Sequence, residues 1–391
     1  MFKKEIETFL VIAATIYPCI LRKGIGASSN LFVDLISLIL PQYLVLLDYK
    51  LVYVLVIVVL TPFVKRSNLF KGTTGLSKRR RVMRTLQTAI TVNCIVINIL
   101  ENAGVLSDRF RSTIFYGISL GDLCKSSVVL IEGYKCARKA NNSIYQRFIL
   151  SLMAGTVICF VNIIMGTKHD ITQYGANINF FLVLSCSYIL FMVFRSKHNF
   201  KLALSLMIVQ EYYLRVGRLD EIIFSEKRTG WLMRNKEGLN AILPTLVMFL
   251  FSSYIGRKMT NRKATLQGIL TTFFVTCLFV VSYGYSNGMS SASRRLGNLS
   301  YTMLSLSLFF GQYMGLYVAD YFFPLILTDL QLFIGHHMIL LVFMSEVLKM
   351  IITDLEVGIH ARNAYPCISN FLLLSSFIVI FYLFRLCAKP K

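Results

Sequence analysis

Long apolar runs recur along almost the whole chain, and they leave few folds open to it. About thirteen of them approach the roughly 17–25 residues that a helix needs to cross a bilayer. They centre on residues 6–21, 31–47, 49–64, 86–105, 114–132, 147–166, 177–194, 199–217, 238–255, 265–284, 299–318, 321–352 and 366–387. The first three are short. The twelfth is too long for one span, and "LFIGHHMILLV" inside it predicts a break into two pieces. Composition agrees: 55% of the 391 residues are hydrophobic and only 15% charged, with mean hydropathy +0.63. Soluble domains carry about 25% charged residues. The expected fold is all-α, a polytopic integral membrane protein of about 13 transmembrane helices, forming a single polytopic domain over residues 1–391. Soluble multi-domain readings are excluded. There is no internal repeat, P-loop, nucleophile elbow or zincin motif. The nine cysteines are scattered, mostly within apolar runs and with no CxxC, so neither a disulfide framework nor a metal site is expected.

Charge sets the orientation. The chain has 41 Lys+Arg against 19 Asp+Glu, and cytoplasmic loops collect such an excess. "KRSNLFKGTTGLSKRRRVMR", residues 65–84, holds eight Lys/Arg and no acid, so it is expected in the cytosol. With thirteen spans the N-terminus is then lumenal and the C-terminus cytosolic, the run from Phe9 to Leu21 being an uncleaved first span. Basic loops 133–147 and 256–264 agree with this orientation. Loop 215–237, with six Lys/Arg, disagrees, so either the count is off by one or that loop is functional rather than topogenic. The sequon at Asn141 is expected bare because it is cytosolic, and that at Asn298 because it lies at the membrane edge inside a motif. Anionic lipids and phosphorylated substrates suit the net charge; nucleic acid is not expected as a partner, since no soluble basic domain presents itself.

"YGISLGDLCKSSVVLIEG", residues 116–133, reads as one apolar helix with Asp122 and Lys125 inside it. A charge at the centre of a span costs at least ~2.5–3.5 kcal/mol on insertion scales. On a helix, Ser119, Asp122, Lys125 and Ser126 share a face, and Gly117 with Gly121 forms a small-xxx-small pair that admits a close helix neighbour. Asp122 and Lys125 are therefore either a structural ion pair or part of a polar site. Three more polar clusters open apolar spans: TKHDITQYGANINFF (167–181), RNKEGLN (234–240) and SRRLGNLSY (293–301). Each alone could be an interfacial anchor. In the thirteen-span reading, however, all three and the connection before the Asp122 helix open on one side of the membrane. They can share a pocket in which Arg294 and Arg295 offer forked phosphate recognition and Asp122 a base.

These residues carry a resemblance. The chain resembles the inositol acyltransferases of glycosylphosphatidylinositol (GPI) anchor synthesis, the GPI-anchored wall transfer protein family. The family pattern G-x-S-L-M-D-x-G-x-G-S stands here as GISLGDLCKSS (117–127), T-E-Y-G-x-H-W-N-F-F as TQYGANINFF (172–181), N-[KR]-E-G as NKEG (235–238) and S-R-R-L-A-N as SRRLGN (293–298). The four occur in order and the span count fits. Departures are Gly121 for Met, Cys124 and Ser126 for glycines, Lys125 for an apolar residue, Gln173 for Glu, Asn177 for His and Ile178 for Trp. The resemblance implies transfer of a fatty acyl group from acyl-CoA, a co-substrate and the only small-molecule helper expected, to the inositol 2-hydroxyl of glucosaminyl-phosphatidylinositol, in the endoplasmic reticulum membrane. Asp122 and Lys125 are then the catalytic candidates. Arg109, Tyr174, Asn177, Asn179, Asn235, Lys236, Glu237, Arg294, Arg295 and Asn298 are the substrate-binding ones.

Acyl transfer to a secondary alcohol needs a base, and a positioned one typically gives 10²–10⁴-fold. It also needs donors for the oxyanion, a role open to Asn177, Asn179 or Lys125. Two other classes compete. One is a secondary transporter with Asp122 as its ion or proton site, which would usually show repeat symmetry. The other is an unrelated membrane O-acyltransferase using His336-His337, a pair that can equally cap a helix break.

Overall fold

A computed structural model describes residues 78–102, 116–117, 119–137, 139–165, 171–195, 199–260, 266–322 and 327–358. The expected spans at 6–21, 31–47, 49–64 and 366–387, Arg109, and most of the basic stretch 65–84 lie outside them. The described residues are helical throughout, apart from turns and one isolated bridge between Gly117 and Ser293. The chain divides into two compact units, residues 112–311 and the segments 1–111 with 312–391.

In the second of these, α1 (Lys78–Asn102) packs along α12 (Asp329–His336) and α13 (Met338–Gly358). Polar contacts pin this apolar core. Arg81 holds Asp320 through Nε and Nη2, both at 3.2 Å, Thr88 Oγ1 donates to Gln331 O at 2.7 Å, and Asn98 Nδ2 donates to Ser345 Oγ at 3.0 Å. The predicted break in the overlong run is present: α12 and α13 meet at 78°, with His337 as the residue that ends α12. His336 and His337 thus lie at a bend, where α12 ends with the His337 N–H bonded to Phe333 O.

The other unit is built round α9 (Lys236–Thr260), which packs against α2 (Leu120–Cys136), α5 (Phe180–Phe194), α6 (Asn199–Arg215) and the short α4 (Ile171–Tyr174). α3 (Asn141–Met165) packs on α5, and two short helices, α7 (Leu219–Phe224) and α8 (Gly230–Arg234), fill the 215–237 connection. α10 (Leu266–Met289) and α11 (Leu299–Phe322) follow. Among the described residues, three helices are long and apolar enough to cross a membrane, within α1, α3 and α9; the bent α12–α13 pair makes a fourth if it is one span. α3 exposes Phe160, Ile163 and Ile164 in a row, an apolar face suited to lipid rather than water.

One sequence reading is corrected here. Residues 116–133 are not a single helix. α2 begins at Leu120, with Ser119 extended and its hydroxyl accepting the Asp122 N–H at 3.0 Å. Gly117, at φ 121°, bonds through its N–H to Ala292 O at 2.9 Å and pairs with Ser293. Gly117 and Gly121 therefore do not form a small-xxx-small pair on a helix face. Asp122 sits in a first turn, where the free N–H groups favour an anion.

Candidate active site

The turn Ser293–Asn298 is the hub. Gly297 closes it with φ 59°, its N–H reaching Ser293 O, and an added Cβ would come within 2.3 Å of Pro244 on α9. Asn298 starts α11: its Oδ1 accepts the N–H groups of Ser293 and Tyr301, and its Nδ2 donates to Ser290 Oγ and Ser291 O. That side chain is fully engaged, which leaves the Asn298 sequon no free amide in the folded protein.

The two arginines of this turn reach in different directions. Arg294 Nε meets Asp122 Oδ1 at 2.6 Å, with both side chains about nine-tenths buried. Its Nη1 donates to Gln173 O and its Nη2 to Thr172 O at 3.5 Å, and its guanidinium lies 5.1 Å from the Tyr174 ring centre. Burial works against the Arg294 charge, but the Asp122 carboxylate more than restores it, so the guanidinium is held protonated well above its ordinary range. Lys125, half-buried one turn after Asp122, faces the same ring at 5.9 Å. The Tyr301 hydroxyl donates to Asp122 O at 3.1 Å. Asp122, Lys125, Tyr174 and Arg294 thus form one centre.

Arg295 turns to a second centre. Its Nη2 donates to Glu237 Oε1 at 2.8 Å and to Ile223 O at 3.0 Å. Glu237, also buried, is gripped by both nitrogens of Arg228, each at 2.6 Å. Lys236 Nζ ties down the end of α7, donating to Ile222 O and Ser225 Oγ, both at 2.8 Å, and to Ser225 O. The 172–177 stretch is fastened to this region mainly through its backbone: Ala176 N–H to Arg234 O at 3.0 Å, and Asn177 N–H to Asn235 Oδ1 at 2.7 Å.

All four motif stretches therefore meet, as the one-side reading of their connections expected. Several named residues have contacts within the fold. Asn179 caps α5, its Oδ1 accepting the N–H groups of Phe181 and Leu182 and its Nδ2 donating to Gly155 O at 2.8 Å. Asn235 bridges the backbone of 177 and Trp231 O. Asn177 is exposed, so its visible contribution is main-chain. Sequence reasoning did not single out Arg228 or Tyr301, and it put Ser119 on the face of a longer helix rather than at the start of α2. The cap had a signal: Ser-x-x-Asp before an apolar run is a helix-start pattern.

Close packing at the meeting point gives a direct expectation. A Cβ on Gly238 would lie 2.2 Å from Tyr174 O and 2.7 Å from Ile178 Cβ. Gly238→Ala should push α4 off α9, lowering the apparent melting temperature and activity together; equal values for both would mean that the contact is slack.

Described residues that are helical apart from turns, apolar membrane-length helices and two buried carboxylate–guanidinium centres drawn from four separated motifs define a recognisable class. The GWT1 family profile matches residues 4–332, and the chain belongs to that family. It is 26% identical over 288 residues to an uncharacterized protein of Arabidopsis thaliana, covering 69% of this chain and 65% of that one. It is 27% identical over 260 residues to GPI-anchored wall transfer protein 1 of Aspergillus oryzae, 56% of this chain and 52% of the relative. It is 24% identical over 151 residues to the phosphatidylinositol-glycan biosynthesis class W protein of Dictyostelium discoideum, 36% of this chain and 30% of the relative. The chain thus spans less than two thirds of the length of each of these relatives.

Proposed function

We propose that this protein is an O-acyltransferase of GPI-anchor biosynthesis. It would move a fatty acyl group from acyl-CoA to the inositol 2-hydroxyl of glucosaminyl-phosphatidylinositol. The observation that carries the reading is the Asp122–Arg294 pair, which joins the first and fourth motifs beside the second, in a chain whose named relatives include a wall transfer protein and a class W biosynthesis protein. The reading places the chain in the endoplasmic reticulum membrane as one polytopic domain of about thirteen spans, with the N-terminus lumenal and the C-terminus cytosolic.

The chemistry follows from the geometry. Arg294 Nε lies 2.6 Å from Asp122 Oδ1, and opposite charge beside a carboxylate favours its ionised form, the form a base needs. Arg294 engages Oδ1, so Oδ2 is assigned the inositol hydroxyl proton. The alkoxide oxygen bonds to the thioester carbonyl carbon, the C–S bond breaks, and the leaving CoA thiolate takes the proton held on Asp122, which restores the carboxylate. Lys125, beside the same tyrosine ring, stabilises the developing oxyanion; preorganised donors of this kind are worth about 10²–10³-fold. Arg294 and Arg295 act on the substrate phosphate indirectly in this scheme, by holding the two carboxylates around which the pocket is built.

Purified protein supplied with acyl-CoA and glucosaminyl-phosphatidylinositol should yield the 2-O-acyl product and free CoA in equal amounts. Proton- or ion-coupled uptake into liposomes with no acylated product would favour the transporter reading instead.

A further inference from the structure

Helix α2 carries a second charged centre at its other end. Glu132 follows Asp122 by ten residues, about 15 Å along the helix at 1.5 Å per residue. Its side chain is fully buried and accepts from Arg147 Nη1, from Lys135 Nζ at 3.0 Å and from the Tyr188 hydroxyl at 2.6 Å. One acid thus faces two cations, and more cations surround them. Arg195 Nη1 donates to Lys139 O at 2.7 Å and to Asn141 Oδ1 at 3.0 Å, and Arg257 follows Gly256, where an added Cβ would lie 3.0 Å from Tyr134 on α2. Packing places all of these at one end of the unit: Gly133 abuts Ser252, Gly256 abuts Tyr134, and Asn199 Nδ2 bonds Ser253 Oγ at 3.0 Å. The ends of α2, α5 and α9 and the start of α3 converge there.

The charge count is one-sided. Lys135, Arg147, Arg195 and Arg257 are half-buried, and Lys258 is exposed beside them. Among the described residues, Glu132 is the one carboxylate at this end; the unit's other acids, from Asp122 through Glu211 to Glu237, belong to the opposite end. The adjoining connections, residue 138 and residues 196–198 and 261–265, contain no acid in their sequence. A purely topogenic excess would satisfy the positive-inside rule with exposed loop lysines. Here Arg147 is held by the Glu132 carboxylate and Arg195 by a carbonyl and an amide oxygen, and Arg257 lies half-buried at the end of α9. Gathering like charges away from water costs electrostatic energy, which a bound anion removes.

We propose that this end of the unit binds a phosphate-bearing ligand through Arg147, Arg195 and Arg257. Guanidinium forks match phosphate oxygens in pairs. The phosphate can belong to a soluble nucleotide-containing molecule or to an anionic lipid headgroup. The site is separate from the Asp122 centre and does not depend on the acyltransferase reading.

The test uses full-length protein in nanodiscs, with binding rather than acyl transfer as the readout. In neutral phosphatidylcholine discs, CoA serves as the soluble probe. In a second set, phosphatidylserine replaces part of the neutral lipid and the melting temperature is read. The Arg195→Gln/Arg257→Gln variant should either bind CoA at least tenfold more weakly, which assigns a soluble ligand, or lose a stabilisation by anionic lipid that the wild type shows, which assigns a headgroup. A folded variant matching the wild type in both assays overturns the proposal. Should the double variant fail to fold, Lys258→Gln and the salt dependence of the wild type decide: CoA binding and lipid stabilisation both insensitive to high salt and to that substitution would equally overturn it.

Discussion

Asp122→Asn should lower kcat for acyl transfer by at least ~10²-fold, the usual contribution of a positioned base. Asparagine keeps the size and shape of the side chain. It still tolerates the first turn of α2, and its carbonyl oxygen can accept from Arg294 Nε. It cannot take the proton of an alcohol. KM for both substrates should change far less than kcat, because Asp122 in this role acts on the reacting hydroxyl in the transition state. The variant will also lose stability, since Arg294 is left buried without its counter-charge, and breaking a buried pair costs about 3–5 kcal/mol. Stability and kcat therefore have to be read separately, with the rate normalised to folded protein. A variant that retains wild-type kcat per folded molecule would remove Asp122 from the chemistry.

The largest loss of stability should come from Glu237→Gln. Glu237 is buried to 1% exposure and neutralises two arginines, Arg228 through both oxygens and Arg295 through one. Removing its charge strands two guanidinium groups, so the loss should reach or exceed the ~3–5 kcal/mol of a single broken pair. At about 2–4 °C per kcal/mol for a unit of this size, the apparent melting temperature should fall by roughly 10 °C, measured at one fixed scan rate because membrane proteins often unfold irreversibly. Activity should fall with it, since Arg295 and Arg294 are consecutive in one turn. A melting temperature within ~2 °C of wild type would show that water reaches the pair and that Glu237 is not a keystone of the site.

Much of this was legible in the residues themselves. Apolar period and composition gave the all-helical class, and "LFIGHHMILLV" marked the 78° bend between α12 and α13. Span parity made a shared pocket of the four motifs possible, and the four stretches do meet. What stayed hidden has physical causes. "YGISLGDL" has no polar break, so the start of α2 was masked by apolar residues, although Ser119 and Asp122 stood at capping distance. Asn179 and Asn298 look like ligand donors because Asn is polar, but both precede apolar runs, where Asn more often begins a helix. Arg228 folds back across the short helix α8 to reach Glu237, and no local spacing encodes such a return. Two of the six basic residues of the 215–237 loop, Arg228 and Lys236, are engaged within the fold. The departures at Gln173 and Asn177 fall where the chain contributes a backbone carbonyl or N–H, a role that side-chain letters do not reveal.

The pairing of Asp122 with Arg294 also names the variant that separates a base from a counter-ion. In Asp122→Asn/Arg294→Gln neither charge remains, so the stability lost in Asp122→Asn should largely return. Single-turnover acyl transfer by this double variant, compared with Asp122→Asn and wild type at matched folded concentration, is the most direct measurement. A catalytic Asp122 predicts recovered stability with kcat still at least ~10²-fold below wild type. Recovery of activity along with stability would contradict it, and would leave Asp122 as nothing more than the partner of a buried arginine.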